Sequence, residues 1–376
     1  MNISIRGAVL ERLDAETPYS RSKPITVSEL TLEAPKDREV LVKIEAVSLC
    51  HSDLSVVDGV RPRPVPMLLG HEAAGRVIER GSLATQFKVG QRVIMTFLPR
   101  CGECAACLTD GRLPCTAGSA SNEAGTLMGG GKRLLRDQEE VYHHLGVSGF
   151  ATHAVVDERS LVAVGEDVPS DVAAVLGCAV LTGGGAVLNA PNVPPKSSAV
   201  VIGLGGVGMA AVMVAKALGH RVVGVDAVEA KRQLALEVGA EAALDPSEFS
   251  EQQITAPLVV DATGNARGFE SAVRATAPGG TTVTVGLPAP DALAQISPLA
   301  LVSGARTIVG SYLGSAVPRR DIPIFIDLWR QGKLPLEKLI TSHISLGDIN
   351  AGMDALANGT AIRQVISFGD SQEEQS

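Results

Sequence analysis

Aromatic residues are scarce in this chain, with one Trp, three Tyr and seven Phe making 3% of the whole. A surface built on base stacking has little to draw on, and the cores must be filled by Val, Leu, Ala and Ile. Positive charge is short as well. Thirty-three Lys and Arg against 41 Asp and Glu leave a net charge of −8. That excludes a basic nucleic-acid-binding protein, although not a local basic patch. No apolar run approaches the about 18 residues of a membrane span. The opening stretch MNISIRGAVLERLDAETPYS lacks the apolar core of a secretory signal. The tail FGDSQEEQS reads as a short solvated acidic end. The expected setting is therefore the reducing cytoplasm, where clustered cysteines bind metal more often than they form disulfides. What remains is globular: 376 residues, 45% hydrophobic and 20% charged, with 40 Gly and 21 Pro. This length suffices for two domains with separate cores. No internal repeat or low-complexity tract interrupts it.

Cysteine is also rare, at six residues, yet four fall in CGECAACLTDGRLPC. Cys101, Cys104, Cys107 and Cys115 follow C-x2-C-x2-C-x7-C. Thiolates three residues apart curl round one ion, and the longer gap brings the chain back with the fourth. Gly102 and Gly111 relax the backbone for that wrapping. Four thiolates suit a closed tetrahedral zinc site, hence a structural one. An iron–sulfur cluster is the rival, although in bacterial ferredoxins the fourth Cys follows sooner and precedes a Pro. Here Pro114 comes before Cys115. A disulfide pair is the plainer alternative.

Two cysteines stand alone. Cys50 lies in SLCHSDLSVVDG and Cys178 in VLGCAVLTGGGAV, while His71 and Glu72 lie in LLGHEAAGRV. Two thiolates, one imidazole and an open position would make a catalytic zinc site. Spacing alone leaves the alternative open that each is an ordinary core residue.

The segment SSAVVIGLGGVGMAAVMVAKALGHRVVGVDAVEAK carries a different signal. Ala199–Ile202 reads as a buried strand, Gly203, Gly205 and Gly208 give G-x-G-x-x-G, MAAVMVAKALG reads as a helix and RVVGVD as the next strand. The glycines permit a tight turn, close approach of a pyrophosphate and close helix–strand packing. The helix N-terminus offers N–H groups to phosphate. Asp226 follows at the distance where a carboxylate accepts from the adenosine ribose 2′-OH. It would repel a 2′-phosphate, so NAD(H) is favoured over NADP(H). LVVDATGN, TTVTVGLP and TIVGSYLG continue the pattern as further strands of a doubly wound parallel sheet.

With GHEAAGRVIERG, KVGQRVI, CGECAAC, GLGGVG and AIRQVISF in this order, nearly the whole chain resembles the zinc-dependent medium-chain alcohol dehydrogenase family. The likeness is to its long, dimeric liver-type and class III-like members. It implies a catalytic zinc on Cys50, His71 and Cys178 and a structural zinc on the four-Cys lobe, two per subunit. It implies that Ser52 takes the alcohol proton, that Asp53 hydrogen-bonds His71 and that Glu72 lies behind the metal. His51 and Arg363 would approach the cofactor pyrophosphate. Lys231 would join Asp226 at the ribose, with Gly206 in the glycine turn. Thr182 and Val207 would pack near the nicotinamide, and Phe97 and Leu145 would help line the alcohol pocket. His143 and His144 match a family His pair that supplies no catalytic ligand. His153, His220 and His343 have no motif around them and read as structural or surface.

Departures are visible too. Ser55 stands where the liver-type proton relay ends on a His, so His51 or water would finish it. Arg61 and Ser119 stand where glutathione-adduct enzymes carry an acid and an Arg. Arg61 and Arg63 read either as an attractor of anionic substrates or as two solvated arginines. The expected fold is α/β, a Rossmann domain with a doubly wound parallel sheet over residues 181–322. A largely β, GroES-like catalytic domain spans 1–180 and 323–376. The expected function is reversible hydride transfer between a primary or secondary alcohol and NAD⁺ in a homodimer, with no nucleic-acid or membrane partner. The competing functions are a thiol-adduct formaldehyde dehydrogenase and a non-catalytic NAD(H)-binding protein.

Overall fold

The structure, a computed structural model, describes residues 1–369. The chain divides into two compact units, Met1–Cys178 with the chain from Ile340 onward, and Ala179–Leu339.

The first unit is mostly β. Strands Ile3–Leu10, Ile25–Leu32, Leu134–Arg136, Glu139–His143 and Met67–Leu68 close into a barrel. Its apolar side chains, among them Val9, Leu30 and Leu68, form one core cluster with Leu41 and Val155 of the second sheet. Strand Glu39–Leu49 is the hub of the second sheet. It pairs antiparallel with Glu72–Arg80, with His153–Asp157 and with the C-terminal strand Arg363–Ser367. Ser48 lies opposite Glu72 and Leu49 opposite Gln364. This register brings residues 50, 71–72 and 363 to one end of the sheet, although Arg363 lies 313 residues from Cys50 in sequence. A slip of one residue would send those side chains to the other face.

Cys178 arrives on a helical run. Helix Ser170–Val175 passes into a π-helical turn, Leu176–Val180, a device common at functional sites. Gly177 lets this turn press against strand Arg92–Met95, for a Cβ there would sit 2.2 Å from the Met95 carbonyl oxygen. The run Ser170–Leu188 is long and apolar enough to cross a membrane, which the sequence reading did not anticipate, yet 89% of it is buried inside the protein.

The second unit holds six parallel strands in the order Ala242–Leu244, Arg221–Val225, Ser198–Ile202, Ala256–Asp261, Thr276–Thr284 and Thr307–Gly310. The strands are short and rich in Val, and their side chains are buried at Val200, Val201, Val259, Val260 and Val283. The helix expected from Met209 begins earlier, at Gly206, because Gly205 is extended and takes the N-cap position. The motif's third glycine, Gly208, is thus a helical residue, as is Gly206 between the motif positions.

The division of the chain falls at 339/340 rather than 322/323. Helix Pro318–Arg330 belongs with the second unit. Phe325 packs where a Cβ on Gly184 would stand, Asp321 accepts from Asn189 Nδ2 at 3.2 Å, and Lys338 pairs with Glu237 at 3.2 Å. Nothing in the composition around residue 323 marks these tertiary anchors.

Replacing Gly177 by Ala should destabilise the first unit by about 1–3 kcal/mol, because the backbone of a core strand has to move. Thermal unfolding measures it, and an unchanged midpoint would contradict the packing.

Candidate active site and metal centres

The end of strand Glu39–Leu49 runs directly into helix His51–Val57, with Cys50 at the cap. Asp53, in the first turn, folds back so that its Oδ2 accepts the Cys50 amide at 3.0 Å. Its Oδ1 accepts the Gly70 amide at 3.3 Å and lies 2.9 Å from His71 Nδ1. Asp53 and His71 have no solvent exposure. A carboxylate at Nδ1 places the ring proton there and leaves the Nε2 lone pair outward. That Nε2 is buried without a hydrogen-bond partner. The sulfurs of Cys50 and Cys178, a His71 ring nitrogen and a Glu72 oxygen all lie within 4.8 Å of one another. A buried, orphaned imidazole nitrogen facing two thiols is the donor set zinc takes.

Glu72 and Arg363 form a buried ion pair behind these ligands. Arg363 Nε and Nη2 reach the two Glu72 oxygens at 2.9 and 3.0 Å, and Nη2 also donates to Cys50 Sγ at 3.4 Å. A hydrogen bond with Cys178 and the Arg363 charge, acting against burial, hold the Cys50 thiol well below its ordinary value. The same sulfur–sulfur contact and burial push Cys178 well above it. Burial alone would push His71 down, but the charges of Asp53 and Cys50 hold it well above the usual histidine range. Burial lifts Glu72 to about 8 despite Arg363. The resemblance implied a pyrophosphate role for Arg363; the structure gives its guanidinium to Glu72 and Cys50.

Phe97 stands edge-on to the His71 ring, centroids 5.7 Å apart. Ser52 is half-buried and His51 exposed on the same helix. Ser55 Oγ donates to the His51 carbonyl at 3.0 Å. Leu145 is buried in a left-handed backbone conformation. Ser119, Arg61 and Arg63 are half-exposed. The residue that sequence reasoning set aside is His144. It is buried, its Nδ1 lies 3.2 Å from Asp53 Oδ1, and its ring meets His71 edge-on at 5.5 Å. Its only sequence signal was the adjacent His143, which points elsewhere: His143 Nε2 accepts the Arg133 amide at 3.1 Å.

In the lobe, backbone amides donate to sulfur. Cys104 N donates to Cys101 Sγ, Cys107 N to Cys104 Sγ and Gly118 N to Cys115 Sγ, each at 3.4 Å, and Cys101 N donates to Cys115 Sγ at 3.3 Å. Such donors stabilise thiolate. Amide donors hold Cys104 down to about 6, whereas burial lifts Cys107 to about 12. All six cysteines are free, so the disulfide alternative is not met, and the four lobe sulfurs lie within 4.8 Å of one another. Gly102 and Gly111 have φ of +87° and +89°, as the wrapping requires.

The second unit holds the candidate dinucleotide cradle. A Cβ on Gly208 would stand 1.7 Å from the Gly203 carbonyl oxygen, whereas one on Gly205 would meet nothing within 4 Å. The first glycine site packs the helix onto the turn, and the second leaves open backbone where a pyrophosphate fits. Val207 and Gly206 lie in the first helical turn, whose N–H groups have no intrahelical partner. Asp226 Oδ2 accepts the Leu204 amide and Oδ1 the Val228 amide, both at 2.8 Å. Its carboxylate therefore ties the glycine turn to the strand end and retains acceptor capacity for a ribose hydroxyl. Lys231 is half-exposed one turn along helix Glu229–Glu237. Thr182 is buried on helix Leu181–Leu188, which packs so closely that a Cβ on Gly183 would meet the Val207 carbonyl oxygen at 1.9 Å.

Residues 36–166 match the alcohol dehydrogenase GroES-like domain, and residues 206–331 match the zinc-binding dehydrogenase family. Geraniol dehydrogenase of Castellaniella defragrans is 36% identical, over 97% of this chain and 98% of its own length. The chain belongs to the zinc-dependent medium-chain alcohol dehydrogenase family. Among other medium-chain alcohol dehydrogenase relatives, S-(hydroxymethyl)glutathione dehydrogenase of Paracoccus denitrificans is 34% identical over 95% of this chain and 100% of its own length. The crystal structure of benzyl alcohol dehydrogenase from Acinetobacter calcoaceticus superposes with a TM-score of 0.88 at 30% identity, covering 98% of this chain and 100% of that one. The fold is thus the GroES-like plus Rossmann pair of this alcohol dehydrogenase family. The chain is an enzyme, a zinc-dependent oxidoreductase acting on alcohols with NAD.

Burial and the charges of Arg133 and Lys132 push His143 down to about 3, from an ordinary 6.5. The unfolded chain therefore takes up a proton as pH falls through 6.5 while the folded chain does not until about 3. His143 contributes stability above that window and loses it within it. The stability advantage of the native chain over His143→Gln, measured by urea unfolding, should shrink between about pH 7 and about pH 4. A gap independent of pH would contradict a buried neutral His143.

Proposed function

We propose that this enzyme oxidises an apolar primary alcohol, allylic or aromatic, to its aldehyde, reversibly. Zinc would be held by Cys50, His71 and Cys178, and NAD by the glycine turn. The observation that carries the site is the buried His71 Nε2, unpartnered and facing two cysteine sulfurs. The substrate class is supported by relatives that act on geraniol and on benzyl alcohol. The Phe97 ring against His71 adds an apolar wall. The four-Cys lobe would carry a second, structural zinc.

Zinc, when bound, supplies a Lewis acid that makes the alcohol O–H acidic near neutral pH and polarises the carbonyl in reverse. NAD⁺, when bound, accepts the hydride. The chain's own residues do the rest. Asp53 fixes the His71 tautomer and ring orientation. Arg363 neutralises Glu72 and steadies the Cys50 thiolate. Ser52 takes the proton as hydride leaves the carbinol carbon, and the exposed His51 passes it to water. In the second unit Asp226 and Lys231 position the adenosine ribose, the turn Gly203–Gly208 takes the pyrophosphate, and Thr182 and Val207 support the nicotinamide.

The enzyme would work as a homodimer in the cytoplasm. The free thiols suit a reducing compartment. Strand Thr307–Gly310 is an edge of its sheet, and Leu293, Leu299 and Val302 beside it in sequence are 88%, 75% and 80% exposed. An uncovered edge with apolar neighbours suits pairing with a second copy.

Growth of NADH absorbance is expected with geraniol- and benzyl-type alcohols. Growth only with formaldehyde plus glutathione would move the reading to the adduct enzyme and reverse the inference from Arg61 and Ser119. His71→Ala and Cys178→Ala should each lower turnover below about a thousandth of wild type in a folded chain. Each should also remove one zinc and leave the lobe's own. Undiminished turnover would remove the site. Asp226→Gly should shift the NAD⁺/NADP⁺ preference toward NADP⁺ by about tenfold or more, the equivalent of about 1.4 kcal/mol. An unchanged ratio would show that another residue discriminates.

A further inference from the structure

The buried cluster at Asp53 contains one imidazole that the reaction outlined above leaves without a task. His144 has almost no exposure, and it is not one of the three residues assigned to the metal, although its ring nitrogen lies within 4.8 Å of donor atoms of Asp53 and His71. Its Nδ1 lies 3.2 Å from Asp53 Oδ1 but off the line of a hydrogen bond, so this buried nitrogen has no hydrogen-bond partner, whereas the same oxygen lies 2.9 Å from His71 Nδ1 and accepts the Gly70 amide at 3.3 Å. A lone pair facing a carboxylate oxygen at that distance would be repelled, so the neutral ring carries its proton on Nδ1. The loop that presents it is locked. Ser148 Oγ accepts the His144 amide at 2.9 Å, and the Val147 and Ser148 amides donate back to the His144 carbonyl at 3.0 and 3.2 Å. The imidazole is thus held against the carboxylate by its own turn.

We propose that His144 is a positioning residue for the catalytic metal centre. By holding its Nδ1–H dipole 3.2 Å from Asp53 Oδ1, close enough to attract the carboxylate though not aligned as a hydrogen bond, it flanks Asp53 with a second imidazole and so steadies the ring that offers Nε2 to the metal. The effect on the metal passes through Asp53 and His71 and involves no contact with substrate. Asp53 has three hydrogen-bond donors, the Cys50 and Gly70 amides and His71 Nδ1, and the His144 ring as a fourth, electrostatic neighbour, so removing that ring loosens the carboxylate. His71 then loses its fixed orientation. Partners of this kind are worth about 10- to 100-fold in metal affinity.

The inference rests on the assignment of zinc to Cys50, His71 and Cys178, and the test separates the two. Wild-type enzyme is first analysed for zinc; one zinc per chain, confined to the lobe, defeats the assignment itself. With two present, zinc release to a chelator and the visible spectrum of the cobalt-substituted centre are compared across three chains. His144→Phe removes the donor and keeps the bulk. His144→Asn restores an N–H near the Nδ1 position. The expected result is release about tenfold faster with a shifted cobalt spectrum for the first, and near wild-type behaviour for the second. If His144→Phe fails to fold, His144→Leu takes its place in the comparison. Wild-type release and spectrum in all variants would overturn the proposal. So would equal impairment of the donor-bearing and donor-lacking variants, which marks a role in packing alone.

Discussion

A carboxylate without solvent contact persists only where donors surround it, and the catalytic unit is arranged around one such group. Asp53 takes the Cys50 amide on one oxygen and the Gly70 amide with His71 Nδ1 on the other. Each bond ties down a different segment. The first closes the turn that carries Cys50, the second fixes the approach to strand Glu72–Arg80, and the third orients the imidazole that we propose holds the metal. Leaving any of these donors buried and unpaired costs about 1–3 kcal/mol, and leaving the carboxylate unpaired costs more. The geometry at the sulfurs is therefore a consequence of satisfying Asp53.

Charge sets the second constraint. Two thiolates, Glu72 and Asp53 would place four negative groups in one dry region, against which the chain offers Arg363. The long reach of Arg363 from the C-terminal strand to Glu72 and Cys50 shows why that strand belongs to the N-terminal sheet. The divalent cation proposed at the sulfurs would complete the balance, since it would offset both thiolates where burial otherwise pushes the Cys178 thiol up. The lobe solves the same problem differently. Cys101, Cys104 and Cys107 are partly exposed, and the sulfurs of Cys101, Cys104 and the buried Cys115 receive backbone N–H groups, in place of a buried guanidinium.

Local patterns were legible wherever backbone geometry dictates residue type. The glycine turn, its flanking strands and Asp226 follow from steric needs that only Gly meets, and the four-Cys lobe follows from its spacing. The trio Cys50, His71 and Cys178 could be raised from residue type but favoured only with the family resemblance, because its members meet through sheet register and a π-helical turn and not through spacing. Three features stayed hidden for the same reason. Arg363 lies 291 residues from Glu72. His144 carries no spacing relative to Asp53. The boundary at 339/340 depends on Phe325 and Asp321 finding partners around Gly184 and Asn189. The early start of helix Gly206–Ala217 was missed because glycine weakens a helix by propensity, whereas here it admits the close packing of Gly208 on the turn.

The most direct test of this account is zinc K-edge X-ray absorption on the purified protein, with the metal content measured alongside. The account predicts two zincs per chain, one with four sulfurs from the lobe and one with two sulfurs and an imidazole nitrogen, so an average near three sulfurs per zinc. One zinc per chain with a pure four-sulfur shell would contradict it, for then the Cys50, His71 and Cys178 cluster that Asp53 organises would not be a metal centre.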